Sequence, residues 1–248
     1  VTLHRMADLT GGLGVDFFYL SEHYEEAFYN EMSPDLCEIA SVNLPALGRV
    51  GATVCNSTAE AFIAEHRGEH FGLLYIDPAR RSQGGRKLVS LKDCQPDITV
   101  LQEDMLAMSD IVMVKMSPML DVRVALTELS DVSVLWVLSL DGECKELLAV
   151  MRKGCRVPAR INAVDITSDG ANRDILSSTI EADSTLSLPL LPTDEQLDGL
   201  FLYEPYASYM KSGLYRTLCH RYGVCQLHPN SHLFVSAAPV TDFPGRAF

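Results

Sequence analysis

The sequence predicts an open, doubly wound α/β sheet followed by a smaller α+β domain, and three observations lead there. Short, continuous, β-branched-rich apolar runs recur at 3–7, 26–30, 52–55, 73–76, 111–114 and 132–138, as in strands covered by helices on both faces. Helical spacing appears between them, which calls for parallel strands joined by crossovers. The first run ends in Ala7-Asp8-Leu9-Thr10-Gly11-Gly12-Leu13-Gly14-Val15-Asp16, a glycine-rich turn that lets backbone amides approach a nucleotide-type cofactor.

Taken in order, the second run ends at Asn30-Glu31, about 20 residues beyond the glycines, where a carboxylate accepts hydrogen bonds from a ribose. A dinucleotide fingerprint needs G-x-G-x-x-G, but Phe17 stands at the third glycine, which disfavours a nicotinamide enzyme. Ser33 before Pro34 predicts an N-cap for a helix over 34–47. The run 52–55 leads into Asn56-Ser57-Thr58, and 71–76 ends in Asp77-Pro78-Ala79-Arg80. A carboxylate at a strand's C-terminal edge can take a substrate amino group and aim its lone pair, while Asp-Pro after a strand also starts an ordinary turn. After 111–114 come Lys115 and, further on, Asp121; they line a site at the sheet edge, or are a solvated strand end and a helix N-cap. A helix is expected over 142–151 and a final antiparallel strand over 160–167.

The pattern loosens over 172–193, giving domains 1–180 and 181–248. In the second, 200–204 and 233–235 read as strands. Tyr206, Tyr209, Met210, Leu214 and Leu218 form the apolar stripe of one helix ending before Gly223, a βαβ plan in which the tyrosines are core rather than a stacking platform.

Net charge is −13 over 248 residues, which opposes general binding to a phosphate backbone. The exception is a basic loop, Arg80, Arg81, Arg86 and Lys87, with Gly84 and Gly85; it contacts RNA or another anion, or is simply solvated. With 47% hydrophobic residues the chain can bury a large core. No apolar run is long enough to span a membrane and no secretion signal opens the chain, so a cytoplasmic protein with reduced cysteines is expected. Cys219, Cys225, His228 and His232 match no common zinc spacing, so no metal is expected, and His66 and His70 read as solvent-exposed.

Asp8-x-Thr10-x-Gly12-x-Gly14 resembles motif I of class I S-adenosylmethionine-dependent methyltransferases, with Thr10 in place of the commoner glycine. Asp77-Pro78-Ala79-Arg80 resembles the D/N-P-P-aromatic motif of enzymes that methylate base nitrogens, with Arg80 replacing the aromatic. With Lys115-Met116-Ser117-Pro118, Glu143-Cys144-Lys145-Glu146-Leu147 and His228-Pro229-Asn230-Ser231-His232, the chain resembles a bacterial methyltransferase family in which a ferredoxin-like segment and a THUMP-like domain follow the catalytic domain.

That resemblance implies a Rossmann-like methyltransferase sheet with a ferredoxin-like C-terminal domain, S-adenosylmethionine as cofactor, and a tRNA or rRNA substrate. Thr10, Gly11, Gly12 and Gly14 would run beside the methionyl part with Asp8 near its ammonium. Glu31 would take the ribose, Met32 would pack on adenine, and Asn56 or Ser57 would reach the adenine edge. Asp77 would orient the target amino group, Pro78 would fix the turn, and Arg80 and Lys115 would contact substrate. A chain starting at Val1, directly before motif I, is read as truncated, without an upstream helical segment and the THUMP-like module. A non-catalytic cofactor- or RNA-binding module, or methyl transfer to a protein or small molecule, are the alternatives.

Overall fold

The computed structural model describes residues 3–80, 90–170, 175–191 and 198–248. They form two compact units, residues 1–132 with 149–156, and residues 133–148 with 157–248.

The first unit runs β1 (Leu3–Asp8), α1 (Val15–Leu20), β2 (Tyr24–Asn30), α2 (Pro34–Ala46), β3 (Ala52–Cys55), α3 (Ala59–Glu65), β4 (Phe71–Ile76), β5 (Ala79–Arg80), β6 (Cys94–Gln95), α4 (Ile98–Ala107), β7 (Ser109–Met116) and α5 (Val122–Glu128). β1 lies between β2 and β4, β3 adds outside β2 and β7 outside β4, and every one of these pairs is parallel. The strand order therefore reverses between β1 and β4, and at such a switch point the crevice beyond the strands' C-terminal ends is open to a ligand.

Alternation on β2 shows the double winding. Tyr29 faces Phe17 of α1 and Ala40 and Leu44 of α2 in one buried cluster. Its neighbour Phe28 points the other way, 6.1 Å from Phe62 of α3 and 5.8 Å from Phe71. Burying each such ring contributes about 1.5–3 kcal/mol. His66 belongs to this second face: it stacks on Phe62 at 4.0 Å, which corrects its expected exposure, whereas His70 is exposed. Phe17, fully buried, packs edge-on against Tyr29 at 5.7 Å, a contact the missing third glycine could not make. The helix over 34–46 forms as its spacing predicts, but no Ser33 side-chain hydrogen bond caps it; Glu31 Oε1 instead accepts the Ser33 amide at 2.9 Å.

The second unit holds most of β8 (Val132–Leu140) and of β9 (Glu143–Met151), then β10 (Arg160–Ile166), β11 (Leu176–Ser178), α6 (Ile180–Thr185), β12 (Phe201–Pro205), α7 (Ala207–Ser212), α8 (Tyr215–Tyr222), β13 (Cys225–Gln226), β14 (Phe234–Ser236) and β15 (Gly245–Ala247). The helix expected over 142–151 is the strand β9. Leu147, Ala149 and Met151 are fully buried at every second position, and Asp141-Gly142, both at positive φ, form the two-residue hairpin turn that precedes it. The segment 160–166 is a strand but pairs parallel with β8, not antiparallel; the antiparallel partner of β10 is β11.

β11 and α6 also give structure to part of the stretch 172–193, of which 171–174 and 192–197 lie outside the described residues. Beyond it, the single expected helix is two, α7 and α8, broken where Gly213 turns to φ 72. Tyr209, Leu214 and Leu218 are buried as core, and Tyr206 stands before α7. Strands β13, β14, β12 and β15 form an antiparallel sheet in that order, so the βαβ plan is corrected to antiparallel pairing of β12 with β14. Among the described residues, no helix is long and apolar enough to cross a membrane, and no three His, Cys, Asp or Glu side chains are grouped to hold a metal.

Candidate functional site

The glycine loop is pinned to both strands flanking β1. The Leu9 amide donates to the Tyr75 carbonyl at 2.9 Å, and the Gly11 amide to the Asn30 carbonyl at 2.8 Å. Gly11 lies flat on the Tyr29 ring, where an added Cβ would stand 2.2 Å from the nearest ring carbon, so no larger residue fits. The Tyr29 hydroxyl donates to the Gly12 carbonyl. Gly14, at φ 80, turns the chain into α1. Across the loop, the Gly12 amide donates to Glu31 Oε2 at 2.9 Å, which sets that carboxylate at the loop's edge.

A cavity of about 290 Å³ opens here, lined by Leu9, Thr10, Gly12, Glu31, Met32, Ser57, Thr58, Ala59, Glu60, Asp77, Ala79, Gln95 and Pro96. Six of the residues singled out in the sequence thus share one hollow: Thr10, Gly12, Glu31, Met32, Ser57 and Asp77. Met32 is 60% exposed and offers an apolar wall. The Ser57 hydroxyl donates to Asn30 Oδ1 at 2.7 Å. Asn56, Gly11, Gly14, Asp8, Pro78 and Lys115 are not part of the lining. Asn56 spends its amide on the Glu31 carbonyl at 2.9 Å, bracing the turn after β2.

Behind the cavity wall lies a concentration of charge. Asp8 is 1% exposed and its Oδ1 accepts the Thr10 amide at 2.9 Å. Burial, helped by Asp16 and Asp77 and opposed by the Thr10 amide and Lys115, pushes the Asp8 carboxyl up to about 7. Thr10 does a second service: its hydroxyl accepts the Asp77 amide at 2.7 Å, tying the glycine loop to the end of β4. A glycine at position 10 would lack that tie.

The Lys115 ammonium reaches Asp16 Oδ2 at 2.5 Å and Asp77 Oδ2 at 3.0 Å. Burial alone would lower the Lys115 ammonium, but the two carboxylates more than offset it and hold its pKa above the ordinary lysine value. Asp77 is raised by burial and by Asp16, with Lys115 pulling it back. Lys115 is therefore tied to carboxylates rather than a freely solvated strand end, and Asp121 caps α5 by accepting the Arg123 and Val124 amides at 2.8 and 3.2 Å.

Two participants escaped the sequence reading. Asp16 closes the glycine motif in the sequence, and its only signal is an acid in the first turn of α1 opposite the lysine at the end of β7. Tyr75, whose hydroxyl donates to Asp16 Oδ2 at 2.8 Å, looked like one more strand aromatic. Arg80 pairs through its backbone with Cys94 in the β5–β6 ladder. Arg81, Gly84, Gly85, Arg86 and Lys87 of the basic loop lie outside the described residues.

A search of curated proteins gives no significant match. Among solved structures, the chain overlaps a proposed methyltransferase of Escherichia coli (21% identity, 60% of this chain and 76% of that one, TM-score 0.40). It also overlaps a proposed methyltransferase of Streptococcus mutans in complex with S-adenosylhomocysteine (11% identity, 60% and 92%, TM-score 0.43). Overlaps of that size carry no weight for activity. A far fuller likeness is to a proposed methyltransferase of Porphyromonas gingivalis W83, with 31% identity over 98% of this chain and a TM-score of 0.85. The present chain spans 60% of that protein's length. Residues 201–244 match the model of a ferredoxin-like domain family. The fold is thus a parallel-rich, methyltransferase-type α/β sheet with a ferredoxin-like domain at its C-terminal end.

Proposed function

We propose that the chain transfers a methyl group from S-adenosylmethionine to a base nitrogen in RNA, with residues 1–180 as the catalytic domain and 181–248 as the appended domain. The observation that carries this reading is that the glycine loop, Glu31 and Asp77 meet around one cavity at the strand-order reversal. The likeness to the Porphyromonas gingivalis protein supports the reaction class.

The residues fit the cofactor's chemistry. Glu31, fixed by two backbone amides, is an acceptor for ribose hydroxyls, the exposed Met32 is an apolar face for a base, and the acidic groups favour a cation. The cofactor, when bound, supplies an electrophilic methyl group. The chain's own residues bind, orient and keep water away. Asp77 accepts a hydrogen bond from the target amino group and directs its lone pair, and Thr10, through the Asp77 amide, sets where that carboxylate stands.

Calorimetric titration of S-adenosylmethionine, with Gly12→Asp as control, tests the cofactor site. Space around an added Cβ at Gly12 is open, with only the Thr10 carbonyl 3.8 Å off, so the variant places a carboxylate at the cavity without a clash, although φ 53 strains any L side chain there and a melting curve of the variant accompanies the titration. Binding that the variant loses is the expected result, and binding equal in both overturns the placement. Asp77→Ala should then keep cofactor affinity within about twofold and lose transfer by at least about 100-fold. The charge of −13 favours a second reading, a protein or small-molecule acceptor or a non-catalytic module. Methyl incorporation into RNA and protein pools, measured side by side, separates these.

A further inference from the structure

Asp77 reaches the cavity, and behind it stand three side chains in series, Lys115, Asp16 and Tyr75. The Tyr75 hydroxyl donates to Asp16 Oδ2 at 2.8 Å, the Lys115 ammonium donates to the same oxygen at 2.5 Å, and it donates again to Asp77 Oδ2 at 3.0 Å. The links come from α1 and from the penultimate residues of β4 and β7. Neither Asp16, Tyr75 nor Lys115 lines the cavity. An ammonium has three protons, and two of them are committed here. A lysine on a four-carbon stem has no rigid geometry of its own, so its place on Asp77 depends on what holds the ammonium from the far side. That holder is Asp16, and Tyr75 fixes the oxygen of Asp16 that does it.

We propose that Asp16 and Tyr75 are positioning residues of the candidate site: they clamp the Lys115 ammonium onto Oδ2 of Asp77, so that the substrate's N–H is met by the other carboxylate oxygen. With one oxygen engaged from behind, Asp77 presents a single acceptor of fixed direction toward the cavity. A single acceptor suits a neutral amino group, which needs one hydrogen bond to set its lone pair. The inference rests on the reading of Asp77 as the substrate-facing acceptor.

The test has two independent readouts on the full chain. The first is the Lys115 ammonium itself, followed by proton–nitrogen NMR of the lysine side chains and assigned by loss of its signal in Lys115→Met. Clamped between two carboxylates, it should exchange its protons with water slowly; Asp16→Asn should speed that exchange by at least about tenfold, and Tyr75→Phe, which removes only a hydroxyl, by about threefold. The second is catalysis with tritiated S-adenosylmethionine and bulk RNA. Asp16→Asn should lower kcat by at least about tenfold with cofactor affinity held within about twofold, and Asp16→Glu should recover part of the loss.

An ammonium whose exchange is unchanged in both variants overturns the clamp. So does a loss in Asp16→Asn that tracks cofactor affinity and melting temperature together, which is what a purely structural role gives. Absence of transfer by the unaltered protein would remove the reading of Asp77 as substrate acceptor, and with it the role toward substrate, while the NMR result alone still decides whether Asp16 and Tyr75 hold Lys115.

Discussion

At the scale of single residues, the candidate site is built by small side chains and buried charges whose reasons are local. Gly11→Ala drives a methyl into the Tyr29 ring, since an added Cβ stands 2.2 Å from it, and should cost about 1–3 kcal/mol, seen as a lower melting temperature. Asp8 gives a pH-dependent prediction. Its folded pKa lies near 7 against an ordinary 3.8, so the folded state holds this proton where the unfolded chain has lost it. The stability this contributes is complete below about pH 4 and is lost as pH rises through about 7. Asp8→Asn keeps an acceptor for the Thr10 amide without the charge. It should be more stable than the unaltered protein at pH 8, by roughly 1–4 kcal/mol, with the gap closing toward pH 4 in paired urea titrations.

The residue scale is also where the sequence was most uneven. Glycines, an acid after β2 and Asp-Pro after β4 are legible because their backbone demands or strand-end positions are local. Asp16 and Tyr75 were not, because their meaning comes from Lys115, nearly a hundred positions on from Asp16, and no local pattern joins them.

At the scale of elements, the parallel strands were readable because strands buried on both faces are short, continuous apolar runs. Failures came where two periods compete. Glu143–Met151 alternates on every second residue, and Asp141-Gly142 is a hairpin turn that the helix expected over 142–151 takes no account of. Gly213 was passed over because the apolar stripe runs across it. Asp121 is an element-scale feature: it satisfies two amides at the start of α5, so Asp121→Ala should cost about 0.5–2 kcal/mol in denaturant titrations. Cofactor affinity should stay unchanged in the same variant; a loss there would return Asp121 to the site.

At the scale of the whole molecule, charge decides more than shape. Thirty-three acidic against 20 basic residues leave few cations to release counterions from a nucleic acid. Anisotropy titrations with RNA from 50 to 300 mM KCl should give a log–log salt slope shallower than about −3. A steeper slope would mean that Arg80, Arg81, Arg86 and Lys87 act as one focused patch. The path of the chain has a consequence of its own. It leaves the first unit after residue 132, returns for 149–156 and leaves again, so neither unit is one uninterrupted piece. Asp131 shows what the return supplies: its carbonyl accepts the Arg152 amide at 3.0 Å and its carboxylate the Gly154 amide at 2.7 Å. During synthesis the first unit waits for those residues to leave the ribosome. A protease cut between residues 132 and 149 cannot release it intact, and gene fusions or truncations that stop at residue 132 will inherit a frayed edge where Asp131 should be met.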